Sequence, residues 1–188
     1  GSVWAQSAEL KASDGEASFG YPGLAVSGDT VVVGASDANV GGRIMGAAYV
    51  FVKPESGWKN MTETAELTGS DSGYQQYFGL SVVISGDTVV VGSPWAMVGK
   101  CGPGAAYVFV KPQSGWANMT EAKKFTSTDA GCGDFFGTSL AISGGTLRSH
   151  LGLPDDRLWI NADRRITGEV RAKYDGLGCS PGLPTSRQ

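Results

Sequence analysis

Two Asn-Met-Thr triplets, Asn60-Met61-Thr62 and Asn118-Met119-Thr120, stand 58 residues apart. Asn-x-Thr is the acceptor pattern for an N-linked glycan, so Asn60 and Asn118 are candidate glycosylation sites in a secreted chain. The plainer alternative is that Asn and Thr suit a turn that enters a strand. The cysteines are Cys101, Cys132 and Cys179, and His150 is the single histidine. No Cys-x-x-Cys pair or histidine cluster is present, so no zinc pattern forms. Asp and Glu are scattered through turns and outer strands in no recurring pairing, and nothing supports a Ser-His-Asp constellation. The expectation is a protein that is not an enzyme, with no catalytic residue, no metal and no cofactor.

The elements that must carry these residues are set by an internal repeat. A shift of 58 residues carries Ser27-Gly28-Asp29-Thr30-Val31-Val32-Val33-Gly34 onto Ser85-Gly86-Asp87-Thr88-Val89-Val90-Val91-Gly92. The same shift takes Gly46 through Pro54 onto Gly104 through Pro112, Trp58 onto Trp116, and one Asn-Met-Thr onto the other. A third copy opens at Phe136-Gly137 and reaches Ser143-Gly144-Gly145-Thr146. Repeats of this length are the mark of propellers, solenoids and arrays.

Each unit reads as four strands. Leu80 to Ile84 is a short apolar run, and Gly86-Asp87 is hairpin chemistry. Thr88 to Val91 is a β-branched run suited to a strand covered on both faces. Ala105 to Val110 is the third strand, closed by Lys111-Pro112, and the fourth lies near Glu121 to Phe125. The fold class is therefore all-β, built from β-propeller-type four-stranded antiparallel blades. About three blades are expected, as an incomplete propeller or one completed between chains. The boundaries are 1–18 for the outer strand of a preceding or shared blade, 19–77 and 78–135 for two blades, and 136–146 for the start of a third. Residues 147–188 are atypical: the Val-Val-Val-Gly run does not follow Thr146, and arginine replaces lysine as the main basic residue. This segment is read either as an artefact or as completion of the third blade, through strands at Leu158-Trp159-Ile160 and Glu169 to Ala172.

Phe19-Gly20, Phe78-Gly79 and Phe136-Gly137, each followed by an apolar strand and Ser-Gly, resemble the FG-GAP repeats of integrin α-subunit propellers and of many secreted microbial proteins. The likeness spans about residues 3 to 146. It implies a disc of blades with a protein or glycan ligand bound on one face or at the rim, in an extracellular or cell-surface setting. Many members hold Ca²⁺ in an Asp-x-Asp-x-Asp-Gly loop between the first two strands. Here that loop is Ser-Gly-Asp-Thr, too short for the six or more oxygens Ca²⁺ takes. Asp29 and Asp87 are read as turn residues.

Up-and-down strand order sends the loops holding Cys101 and Cys132 to one side of the disc, so a disulfide between them is expected. Cys179 is then free or paired between chains. Period-2 spacing puts Tyr49, Phe51, Tyr107 and Phe109 in the packing between blades, with Trp58 and Trp116 nearer the rim. Tyr74, Tyr77, Trp95 and Met97 fall in or near loops on the side of the disulfide and form the candidate contact surface. A net charge of −3 argues against a nucleic-acid partner, and no apolar run is long enough for membrane insertion. The reading is a non-catalytic extracellular binding or adhesion module. Its alternative is a structural surface protein that self-associates into a ring or fibre, with a propeller enzyme a distant third.

Overall fold

The computed structural model describes residues 5–15, 18–97, 102–126, 132–143, 146–150 and 157–160. Every regular element among them is a strand, in chain order β1 (Leu10–Lys11), β2 (Phe19–Ser27), β3 (Thr30–Ala35), β4 (Asn39–Val40), β5 (Arg43–Ile44), β6 (Ala47–Val52), β7 (Met61–Thr62) and β8 (Ala65–Thr68). There follow β9 (Ser81–Ser85), β10 (Thr88–Ser93), β11 (Ala105–Val110), β12 (Met119–Thr120), β13 (Lys123–Phe125), β14 (Ser139–Ser143), β15 (Thr146–His150) and β16 (Arg157–Ile160). The first blade is the meander β2-β3-β6-β8, the second is β9-β10-β11-β13, and a third sheet runs β14-β15-β16. All neighbours within a blade are antiparallel.

The first hairpin of each blade follows from its two central residues. Ser27 pairs with Thr30 and Ser85 with Thr88, leaving Gly-Asp as the two-residue loop. Gly28 and Gly86 sit at φ 55° and 56°, the first position of a type II′ turn, whose twist matches the strands. Asp29 and Asp87 hold the turn from outside, with their carboxylates 3.1 Å and 3.7 Å from Lys53 Nζ and Lys111 Nζ. Among the described residues no three acidic, histidine or cysteine side chains gather as a metal site.

The third strands are buried on both faces, not one. From Ala47 through Phe51 and from Ala105 through Phe109 every residue is buried. Alternate side chains enter different clusters: Ala48 and Val50 meet Phe78, Val82 and Val89 of the second blade, while Ala47, Tyr49 and Phe51 pack with Phe19 and Trp58. A third cluster joins Val90, Ala106 and Val108 to Phe136 and Leu147. Each blade is thus a layer between neighbours, which is why the valine runs need no polar alternation. Trp116, expected nearer the rim, is buried in the cluster between the first and second blades.

The Phe-Gly pair has a divided task. Phe78 packs edge-on to Tyr107 and Phe109 of its own blade, with centroids 5.1 Å and 6.1 Å apart, and Phe19 does the same with Phe51 at 6.0 Å. Gly79, at φ 95°, lays its carbonyl against Gly34 of the preceding blade, and Gly137 lays its carbonyl against Gly92. A Cβ at Gly34 or Gly92 would fall 1.9 Å or 2.0 Å from those oxygens. Only glycine allows two blades to meet this closely at backbone level.

The fourth strand, expected near Glu121 to Phe125, is β13 at Lys123–Phe125. Just before it, β12 reaches out of its blade and pairs in parallel with β8 of the blade before. β7 pairs in parallel with β1 in the same way. In the third sheet β15 pairs with β14 over its full length although the valine run is missing, and Leu158, Trp159 and Ile160 lie on β16. The stretch Glu169 to Ala172 lies outside the described residues.

Candidate contact surface and interblade clasp

The loops between the second and third strands of a blade, and those that lead into the next blade, come together at one place. Tyr77 precedes Phe78-Gly79, Trp95 follows β10, and Phe135 precedes Phe136-Gly137. Their rings form a ladder, Tyr77 to Trp95 at 4.8 Å and Trp95 to Phe135 at 4.9 Å between centroids, both tilted. Trp95 is 43 % exposed and Met97 is 48 % exposed. Tyr74 is exposed at 63 % but stands outside the stack. Of the four expected contact residues, the fold therefore brings Tyr77 and Trp95 into one assembly, keeps Met97 beside Gly102, and leaves Tyr74 separate.

Phe135 was not expected here. Its signal lies in the repeat, for Ser18, Tyr77 and Phe135 each precede Phe-Gly and each adopt positive φ, 61°, 54° and 54°. A bulky side chain in this left-handed region is uncommon and costs energy, and such positions cluster at functional sites. The backbone beneath is fastened: Ser93 Oγ donates to Gln76 O at 2.7 Å, and Phe136 N donates to Pro103 O at 2.7 Å. The ladder is thus a rigid, partly exposed aromatic surface that spans two blades.

Beside it Cys132 is disulfide-bonded. Cys101 and Cys179 lie outside the described residues. Their neighbours are informative, because Gly133 N donates to Gly102 O at 3.2 Å and brings the residues flanking Cys132 and Cys101 side by side. His150 lies on β15.

The Asn-Met-Thr triplets build a second, repeated arrangement on the outer strands. Glu9 N donates to Asn60 Oδ1 at 2.8 Å, and Glu66 N donates to Asn118 Oδ1 at 2.9 Å. Ser13 N donates to Glu63 at 2.9 Å, and Ser70 N donates to Glu121 at 2.9 Å, each serine hydroxyl adding a second bond to the same carboxylate. Tyr49 OH donates to Asp14 at 2.7 Å and Tyr107 OH to Asp71 at 3.0 Å. Each Ser-Asp exit of one blade is held by the Asn, Glu and Tyr of the next. The expectation that acidic residues show no recurring pairing is corrected: Glu63 and Glu121, and Asp14 and Asp71, recur as acceptors. The signal was a Glu three residues after each sequon Asn and a Ser-Asp pair after each of the outer strands β1 and β8.

In the second blade Lys124 adds to this clasp. Its Nζ is 2.6 Å from Asp71 and 5.1 Å from the centre of the Tyr107 ring. Partial burial works against the Asp71 carboxylate, but hydrogen bonds from Lys124 and Tyr107 and the lysine charge outweigh it and hold its pKa below the usual range. Burial first, and then the Asp71 charge, push the Tyr107 phenol well above its usual value. Both sequon asparagines remain exposed.

Blades of four antiparallel strands, layered through Phe-Gly contacts, define a β-propeller-type module. The sequence model of the FG-GAP repeat matches residues 4–51 and 61–109, and the chain belongs to that family. No curated protein matches the chain.

Proposed function

We propose that the chain is a non-catalytic extracellular binding module that engages a protein or glycan ligand through the Tyr77–Trp95–Phe135 surface. The observation that carries this reading is the partly exposed aromatic stack, held on left-handed backbone at Tyr77 and Phe135. Aromatic rings fixed in this way give large contact area at little entropic cost, and they suit both protein hot spots and sugar faces. Met97 extends the surface as an adaptable flank. The extracellular setting is supported by the FG-GAP repeat, by the disulfide at Cys132 and by the exposed sequon asparagines. In this reading Cys101 is the partner of Cys132, and Asn60 and Asn118 carry glycans on the rim. Among the described residues no helix is long and apolar enough to cross a membrane.

The test is binding of the chain to arrays of extracellular-matrix proteins and of glycans. Saturable binding to members of one array is expected. No binding to either array at micromolar concentration overturns the reading. Self-association is a second reading, favoured by the exposed Leu24 and Val26 on β2.

A further inference from the structure

Each sequon asparagine ties its segment to the outer strand before it. Asn60 Oδ1 accepts Glu9 N at 2.8 Å, and Glu9 O in turn accepts Met61 N at 3.1 Å. Glu9, the residue before β1, thus holds both the side chain and the next backbone amide of the sequon. Met61 and Thr62 then pair in parallel with Leu10 and Lys11. The second seam repeats the arrangement: Asn118 Oδ1 accepts Glu66 N at 2.9 Å, and Met119 and Thr120 pair with Leu67 and Thr68. Glu63 and Glu121 close the far end of each clasp on Ser13 and Ser70.

The clasp uses the carboxamide oxygen, whereas a glycan is attached at the carboxamide nitrogen. One side chain can therefore hold the seam and carry a sugar. Asn60, Thr62, Asn118 and Thr120 are all exposed, so a glycan already in place projects into solvent. Attachment makes a different demand. A carboxamide nitrogen is a weak nucleophile, because its lone pair is shared with the carbonyl. A hydrogen bond donated to Oδ1 draws that pair further toward oxygen and fixes the plane of the amide. The transfer also needs Nδ2 to reach the sugar donor with the sequon lifted from the adjacent strand. In the folded chain the clasp must open first.

We propose that Asn60 and Asn118 are fold-gated acceptors, modified while the interblade seams are open and closed to modification once the blades have stacked. This rests on the glycosylation reading and adds the order of events to it. In the step itself Nδ2 attacks the anomeric carbon of a lipid-pyrophosphate-linked oligosaccharide. The bond from that carbon to the pyrophosphate oxygen breaks, and the amide proton leaves to a base. The clasp then forms on Oδ1 beneath the glycan. Each clasp partner lies far upstream, 51 residues before Asn60 in one case and 52 before Asn118 in the other, so the gate closes only when whole blades meet.

The experiment is a cell-free oligosaccharyltransferase reaction with a lipid-linked oligosaccharide donor, the occupancy of each asparagine being read by peptide mass. Its substrates are the folded, unglycosylated chain, peptides of residues 54–68 and 112–126 as unfolded references, and the full-length variant Glu9→Pro. Proline removes the N–H donated to Asn60 and leaves the Asn118 clasp untouched. Both asparagines of the folded parent are expected to react about tenfold or more slowly than the peptides, as the loss of one or two hydrogen bonds on opening implies. In Glu9→Pro, Asn60 is expected to approach the rate of its peptide while Asn118 stays slow, so the second seam reports that the blades remain folded. A parent modified as fast as the peptides overturns the proposal, as does a variant whose Asn60 stays slow or whose Asn118 opens with it. If proline disturbs β1, Glu63→Ala releases Ser13 from the same clasp and is judged by the same outcomes. Fast modification of the folded parent leaves the glycosylation reading standing, whereas peptides that accept no glycan overturn that reading and the gate together.

Discussion

The carbonyl oxygen of Gly79 lies 1.9 Å from where a Cβ on Gly34 would stand, so the first two blades meet through glycine backbone. The same relation joins Gly137 to Gly92. This places the Phe and the Gly of each repeat in different tasks, the ring filling its own blade and the glycine admitting the neighbour. Gly92→Ala is therefore expected to destabilise the fold by about 3 kcal/mol, as forced overpacking does. Gly115→Ala has open space around its Cβ and only a positive φ to accommodate, and is expected to cost about 1 kcal/mol. Urea denaturation of both variants checks this, and equal midpoints would contradict it.

The Asn118 clasp separates a structural asparagine from a modified one. Asn118→Ala removes the acceptor for Glu66 N and is expected to cost about 1 kcal/mol, while Asn118→Asp keeps the acceptor and stays near the parent. Thr120→Val keeps the clasp and destroys the sequon. Denaturation midpoints of the unglycosylated proteins test the first claim, and an alanine variant as stable as the parent would reject it. Peptide masses from the native source test the second, with a glycan expected on Asn118 in the parent and lost in Thr120→Val.

Stability should fall at both ends of the pH scale through one contact. Asp71 has a depressed pKa, so its contribution is present above the usual carboxylate value of about 4 and is lost as pH falls through the folded value. Tyr107 has a raised pKa, so its contribution holds below the usual phenol value of about 10 and is lost as pH rises beyond it. Melting temperatures of the parent and Asp71→Asn across pH are the measurement. The variant should show a shallower acid limb, and parallel acid limbs would show that Asp71 is not the group concerned.

For the cysteines, a non-reduced digest should yield Cys101 and Cys132 in one linked peptide. A link from Cys132 to Cys179 would instead show that the loops beside the aromatic ladder are not joined as proposed.

The blades themselves were legible in the sequence because local rules agree with the global fold. The Gly-Asp hairpins, the valine runs and the Pro-terminated third strands each specify their element without distant partners. What the sequence concealed lies between blades. Glu9 meets Asn60 across 51 residues, and Ser70 meets Glu121 across 51, so these acceptors find their donors only after two sheets have stacked. Trp116 reads as a rim residue by its place after a turn, yet stacking covers it. β15 lacks the valines of its counterparts and pairs regardless, because the ladder is made by backbone groups. Phe135 was hidden by its chemistry, since a Phe followed by Phe-Gly looks like core, yet from its left-handed backbone it stacks half-buried on Trp95.

The aromatic ladder is the centre of the functional account, and Trp95 is its middle ring. The most direct measurement compares the chain with Trp95→Ala on the same protein and glycan arrays, alongside their melting temperatures. The account predicts binding weakened by about tenfold or more, as for a hot-spot aromatic, with the melting temperature little changed because Trp95 is partly exposed. Equal binding by the two proteins, or a collapse of the fold in the variant, would contradict it.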